Sequence, residues 1–179
     1  MTITLIGYRG VGKSTIAPLL AARLGWNWAD ADALIEQQAA RTIAEIFAAE
    51  GESGFRMREA GVLSELLAQD RLVISAGGGA ILDPHSRQAI RAAGPAIWLT
   101  ASLDSIFARI LGDSTTAARR PSLTGADPRT EIETLLARRT PLYAETATQM
   151  IDTEGRSPAS IVDEILLALP RAIASGSPR

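Results

Sequence analysis

Lys13 is the only lysine in a chain whose other 17 basic residues are all arginine. An ammonium is a compact charge with three rotatable donors and a guanidinium is a planar fork, so a lone lysine among arginines marks a position that needs the compact ion. It stands in Gly7-Tyr8-Arg9-Gly10-Val11-Gly12-Lys13-Ser14, a segment that fits the Walker A pattern. The glycines let backbone N–H groups turn inward without Cβ clashes, and the helix that follows adds unsatisfied donors and partial positive charge. The chemistry of such a loop is the cradling of a nucleotide's phosphates, here by Gly10, Val11, Gly12, Lys13, Ser14 and Thr15. Lys13 is expected to reach the β- and γ-phosphates, and the Ser14 hydroxyl to ligate Mg²⁺. ATP is expected rather than GTP, because the Asn-Lys-x-Asp guanine motif of Ras-type GTPases needs a second lysine.

No acid ends the β-rich run at residues 72–76, where a Walker B aspartate would stand; acids occur instead at Asp30 and Asp32. Residues two apart in an extended segment face the same way, so both carboxylates are expected to project from a strand end toward the phosphates. One can bind Mg²⁺ through water, and the other can take a hydrogen bond or proton from an attacking hydroxyl. The bland alternative for Asp32 is an N-cap of the following helix. Arg56 and Glu59, three apart on a helix, share a face, a spacing that a surface ion pair of under about 1 kcal/mol also explains. Three successive glycines, Gly77, Gly78 and Gly79, imply that a ligand or another backbone comes close. Arg120 lies in a polar stretch bounded by Gly112 and Gly125, which reads either as a lid hinged over phosphates or as a solvated loop. His85 is expected to be a surface residue at a helix start, and Trp26, Trp28 and Trp98 to pack against the sheet.

These side chains need a scaffold that gathers them at one edge. Spans 2–6, 26–29, 72–76, 96–99 and 150–152 read as strands. Spans 13–24, 32–40, 42–50, 54–69, 84–93, 103–111, 128–143 and 158–169 read as helices, with a capping box at Thr42 and Glu45 and Pro128 in a first turn. Such alternation implies an α/β fold: a parallel sheet of about five strands, right-handed crossovers, helices on both faces, and ligands at the strands' carboxyl ends. The 179 residues, 46% hydrophobic, suit one domain at 1–169, with a disordered Ser/Gly/Pro-rich tail expected at 170–179. A net charge of −2 offers no general attraction to nucleic acid or anionic membrane, so neither is an expected partner. The absence of cysteine excludes disulfides, thiolate metal sites and cysteine nucleophiles, and suits a reducing cytoplasm. Met1 leads straight into a strand-like run, and no apolar run approaches the roughly 20 residues of a membrane span, so neither targeting segment nor anchor is expected.

Taken in order, GYRGVGKST, DAD, GFRMRE, GGG, RRPSLTG and RRTPLY resemble the shikimate kinase family, and the resemblance extends up to the last helix. The RPSLTG segment looks like the second of the two bacterial types. The resemblance implies a P-loop kinase fold of the nucleoside-monophosphate-kinase-like class with a mobile lid at 112–125, acting as a cytoplasmic monomer. It also implies transfer of the ATP γ-phosphoryl group to the 3-hydroxyl of shikimate, in aromatic amino-acid biosynthesis. Carried over by position, Lys13, Asp32 and Arg120 are catalytic. Asp32, Arg56, Gly78, Gly79 and Arg139 bind shikimate, the arginines taking its carboxylate and Glu59 orienting Arg56. Ser14 and Asp30 serve Mg²⁺, Arg120 touches phosphate, and Arg109 and Arg156 lie beside adenine. The chain departs from the family at Ser75 and Ala76, where threonine is frequent, and in a lid longer than in some members. Two rival readings are a gluconate kinase of the same architecture, whose acceptor also carries a carboxylate, and a nucleotide-binding regulatory module that transfers nothing.

Overall fold

The computed structural model of the chain describes residues 1–112 and 127–170. Strands β1 (Thr2–Ile6), β2 (Asn27–Asp30), β3 (Leu72–Ser75), β4 (Ala96–Thr100) and β5 (Gln149–Asp152) form one parallel sheet in the order β2-β3-β1-β4-β5. Helices α1 (Lys13–Leu24), α2 (Ala31–Ala39), α3 (Ile43–Leu67), α4 (Pro84–Ala93), α5 (Leu103–Gly112), α6 (Pro128–Thr146) and α7 (Pro158–Ala168) connect and cover the strands.

Two-residue alternation sorts the strands' side chains into layers. Ile3 and Leu5 of β1, Val73 of β3 and Ile97 and Leu99 of β4 pack with Ile16 and Leu20 of α1 and Ile161 and Ile165 of α7. On the other side Ile6 and Ala96 meet Leu63 of α3, Ile90 of α4 and Tyr143 of α6. A third cluster, built on Leu72 and Ile74, takes Ile35 of α2 and Ile43, Ile46 and Phe55 of α3. Every residue of β1 and β3 is buried, as a strand covered on both faces requires.

The helix starts follow their local sequence. The Thr42 hydroxyl accepts from Glu45 N while Glu45 Oε2 accepts from Thr42 N, the reciprocal box predicted for α3. Asp83, Asp127 and Ser157 cap α4, α6 and α7, each followed by proline. His85 lies exposed in the first turn of α4, as expected.

Several expectations need correction. The helices predicted at 42–50 and 54–69 do break at Gly51, whose φ of 69° is not helical, but the gap is one residue wide and the two run on as the kinked α3. Across the kink Arg58 donates from Nε and Nη2 to both oxygens of Glu50, at 2.8 and 2.9 Å, and Phe47 stacks on Phe55. Strand β2 is displaced by one residue, so Asp30 ends the strand and caps α2, while Asp32 already lies in the helix's first turn. Trp28 is 47% exposed because β2 is an edge strand with a neighbour on one side only, whereas Trp98 stacks on Tyr143. Gly112 ends α5, and the remainder of the expected lid, with Arg120, lies outside the described residues, as does the tail beyond Pro170. Among the described residues no helix is long and apolar enough to cross a membrane.

Candidate active site

The turn from β1 to α1 combines backbone need with open space. A Cβ on Gly7 would stand 2.4 Å from the Leu99 carbonyl oxygen of β4, so the loop can pass that strand only as glycine. Gly12 has φ 96° with nothing near a Cβ, so its requirement is conformational. It caps α1 without a side chain, and the first turn carries no acid. The amino end of α1 thus keeps donors and positive potential for an anion. Lys13 is 8% exposed, and its Nζ donates to the carbonyl oxygens of Gly7 at 2.8 Å and Tyr8 at 2.9 Å. Val11 turns its side chain into the core, leaving only its backbone to the loop.

At the carboxyl ends of β2 and β3, Asp30 is paired in register with Ser75. Asp30 Oδ2 accepts from the Ser14 hydroxyl at 2.6 Å and from the Ser75 hydroxyl at 2.9 Å, while Oδ1 caps α2 through Ala33 N. The acid missing from the end of β3 is therefore supplied by the neighbouring strand. Lys13, Ser14, Asp30, Asp32, Ser75, Gly78 and Arg109 line one cavity of about 350 Å³. Arg109 reaches it from α5, donating to the Gly10 carbonyl and to Thr153.

The triple glycine is the wall on which side chains of α2 and α3 meet. A Cβ on Gly77 would come within 2.5 Å of Glu59 Oε1 and 2.7 Å of Asp32 Oδ1, and one on Gly79 within 2.1 Å of Arg56 Nη1. At Gly77 and Gly79 the close approach is therefore by side chains, while at Gly78 the atoms nearest a Cβ are the expected backbone, Arg9 N at 3.5 Å and the Gly7 carbonyl oxygen at 3.6 Å. The Gly78 carbonyl accepts from Arg139 Nη1 at 3.2 Å and from the Tyr143 hydroxyl at 2.7 Å. Arg56 Nη1 donates to Glu59 Oε2 at 2.5 Å, and Glu59 is only 3% exposed. Burial works against the Arg56 charge, but Glu59 and then Glu52 outweigh it and hold the guanidinium above its usual pKa. A surface ion pair, one of the readings from spacing, is thereby excluded. Arg56, Glu59 and Gly79 border a second cavity of about 240 Å³.

Arg139 is buried behind Gly78, its guanidinium 5.7 Å from the Tyr8 ring centroid. Arg156 lies apart from both cavities, donating to the Asp152 and Ser160 carbonyls and to Glu164. Three residues carry no role assigned from the sequence. Arg9 lines the larger cavity, with its buried Nε lacking a hydrogen-bond partner among the described residues. Its signal was an arginine at a position that the Walker A pattern leaves unspecified. Ser75 was noted only as a departure, and Tyr143 carries no local signal of its bond to Gly78.

The family model described as shikimate kinase matches residues 9–170. The chain is 45% identical over 166 residues to a shikimate kinase of Symbiobacterium thermophilum, covering 93% of this chain and 94% of that one. It is 46% identical over 169 residues to one of Rhodopirellula baltica, covering 94% and 90%. Among solved structures, the shikimate kinase of Acinetobacter baumannii in complex with shikimate superposes with a TM-score of 0.87 at 34% identity, covering 99% of this chain and 95% of that one. A gluconokinase of Sinorhizobium meliloti superposes with a TM-score of 0.60 at 18% identity over 97% and 94%, a likeness of fold alone. Agreement in sequence over nearly the whole length, on a backbone that agrees as closely, makes this chain a member of the shikimate kinase family.

Proposed function

We propose that the chain transfers the γ-phosphoryl group of ATP to the 3-hydroxyl of shikimate, giving shikimate 3-phosphate and ADP. The observation that carries the reading is that Lys13 and Asp32 line one cavity, a phosphate-side cation and an acceptor-side carboxylate. The loop N–H groups and Lys13 hold the β- and γ-phosphates, with Arg120 added from the lid and Arg109 and Arg156 beside the adenine. Arg56, fixed by Glu59, and Arg139 take the carboxylate of shikimate in charge-assisted hydrogen bonds, against the wall of Gly78 and Gly79. Asp32 accepts a hydrogen bond from the attacking hydroxyl and aims its oxygen at the γ-phosphorus. That oxygen forms the new P–O bond as the bond to the β,γ-bridging oxygen breaks; ADP departs and the hydroxyl proton leaves through Asp32.

The hydroxyls of Ser14 and Ser75 and the Asp30 carboxylate are hard oxygen donors gathered beside the phosphate loop, a set that fits Mg²⁺ held jointly with phosphate oxygens and water. Bound there, Mg²⁺ supplies neutralisation of phosphate charge.

The test is ADP release from Mg²⁺-ATP with shikimate, gluconate or a nucleoside monophosphate as acceptor, followed by ³¹P identification of the product. Stimulation by shikimate alone supports the reading. Stimulation by gluconate would replace it with the rival kinase, and none by any acceptor with the regulatory module.

A further inference from the structure

Arg56 meets the acceptor already holding a carboxylate. A guanidinium presents two parallel N–H groups along its Nε–Nη2 edge, the fork that matches a carboxylate. Here both of those groups donate to Oε1 of Glu52, at 3.3 and 3.2 Å, while Nη1 faces Glu59. The two acids are not equivalent. Glu59 has a side chain 4% exposed, set by the missing Cβ of Gly77, and cannot leave without stranding a charge. Glu52 has a side chain 56% exposed, one helical turn before Arg56 and one residue beyond the Gly51 kink. It can swing into water at little cost, and a solvated pair of this kind is weak. Two carboxylates cannot share one edge of one guanidinium, because like charges in contact repel.

We propose that Glu52 is a resident carboxylate that occupies the fork of Arg56 in the free protein and is exchanged for the carboxylate of the acceptor. Glu59 orients the arginine, and Glu52 sets how tightly a carboxylate-bearing acceptor is held. The exchange returns the hydrogen bonds lost with Glu52 only to a ligand that brings a carboxylate. The inference rests on the reading that the acceptor carries one.

The test compares the wild type with Glu52→Gln and Glu52→Ala in steady-state kinetics, with calorimetric titration of shikimate without nucleotide as a readout independent of turnover. Both variants should lower KM and Kd for shikimate by about two- to fivefold, the range an exposed ion pair can impose. Turnover and KM for ATP should stay unchanged, and the Kd of a carboxamide analogue of shikimate should not move. Unchanged or raised shikimate KM in variants that melt like the wild type would overturn the exchange while leaving the kinase reading intact. A wild type inert toward shikimate would instead overturn the kinase reading, and this inference with it.

Discussion

Between the carbonyl oxygens of Gly7 and Tyr8 there is a place for one small cation, and the Lys13 ammonium fills it. A planar guanidinium cannot meet both oxygens from the same stem, so the charge is not what distinguishes this position. Lys13→Arg should therefore lower kcat by about 10²-fold, close to the loss in Lys13→Ala, if losing a preorganised charge resembles losing an oxyanion donor. Coupled ADP release measures both, and near-normal turnover in Lys13→Arg would show that charge alone suffices. Asp32→Asn should lower kcat by roughly 10²- to 10⁴-fold with little change in the KM for ATP, as expected of a group that handles the acceptor's proton. A matching rise in that KM would place Asp32 with the nucleotide instead. The loop was legible in sequence because its glycines, its lysine and the helix after it are contiguous. The burial of Glu59 was not, because it depends on Gly77, contributed by a segment beyond β3.

At the scale of elements, the wall after β3 is shaped by absent side chains. Gly79→Ala would drive a methyl to within 2.1 Å of Arg56 Nη1, the movable end of a long side chain. The fold should therefore survive while the arginine shifts. Because Nη1 also pairs buried Glu59, the melting temperature should fall, and the KM for shikimate should rise about tenfold or more, the cost of losing one charge-assisted hydrogen bond. An unchanged KM would remove Arg56 from the acceptor site. The cap of α4 gives a pH-dependent prediction. Partial burial raises the Asp83 pKa, but hydrogen bonds from the Ser86 amide and hydroxyl and the His85 amide outweigh it, and the net shift is downward. A lowered folded value means the cap acts in full above the ordinary 3.8 and is lost as pH falls through the folded value. At pH 7 Asp83→Ala should lower the melting temperature by about 2–4 °C, for a cap of about 1 kcal/mol. Calorimetry should find the gap closing below about pH 4; a gap that persists there would mean the carboxylate is not its source. The capping signals were readable because each is a few residues long. The break in α3 was readable from Gly51 and Gly54, which mark a disturbance, but not that the helix resumes after one residue.

For the whole molecule, the alternation of strands and helices sufficed for the fold class, but not for the sheet order or which strand is an edge. Those depend on pairings between segments far apart, and Trp28 was misplaced for that reason. The same organisation predicts how ligands act on stability. Among the described residues no group of three or more His, Cys, Asp or Glu could hold a metal, and Ser14, Asp30 and Ser75 already satisfy one another. Chelation with EDTA should therefore abolish ADP release while leaving the melting temperature of the nucleotide-free protein unchanged. A large drop on chelation would reveal a structural metal. ATP at about 100 times its Kd should raise that temperature by roughly 5–10 °C, from a linkage of about 2.7 kcal/mol.

The register that sets Asp30 beside Ser75 carries an evolutionary consequence. What the site needs is one carboxylate and one hydroxyl on adjacent strand ends, and either strand can carry the acid. Serine at 30 would also still cap α2. Asp30→Ser and Ser75→Asp should each impair turnover, and the double exchange should recover part of it. In a randomised library the two positions would then show sign epistasis and covary, so that a lineage could move its acid one strand across within the same fold only by changing both positions.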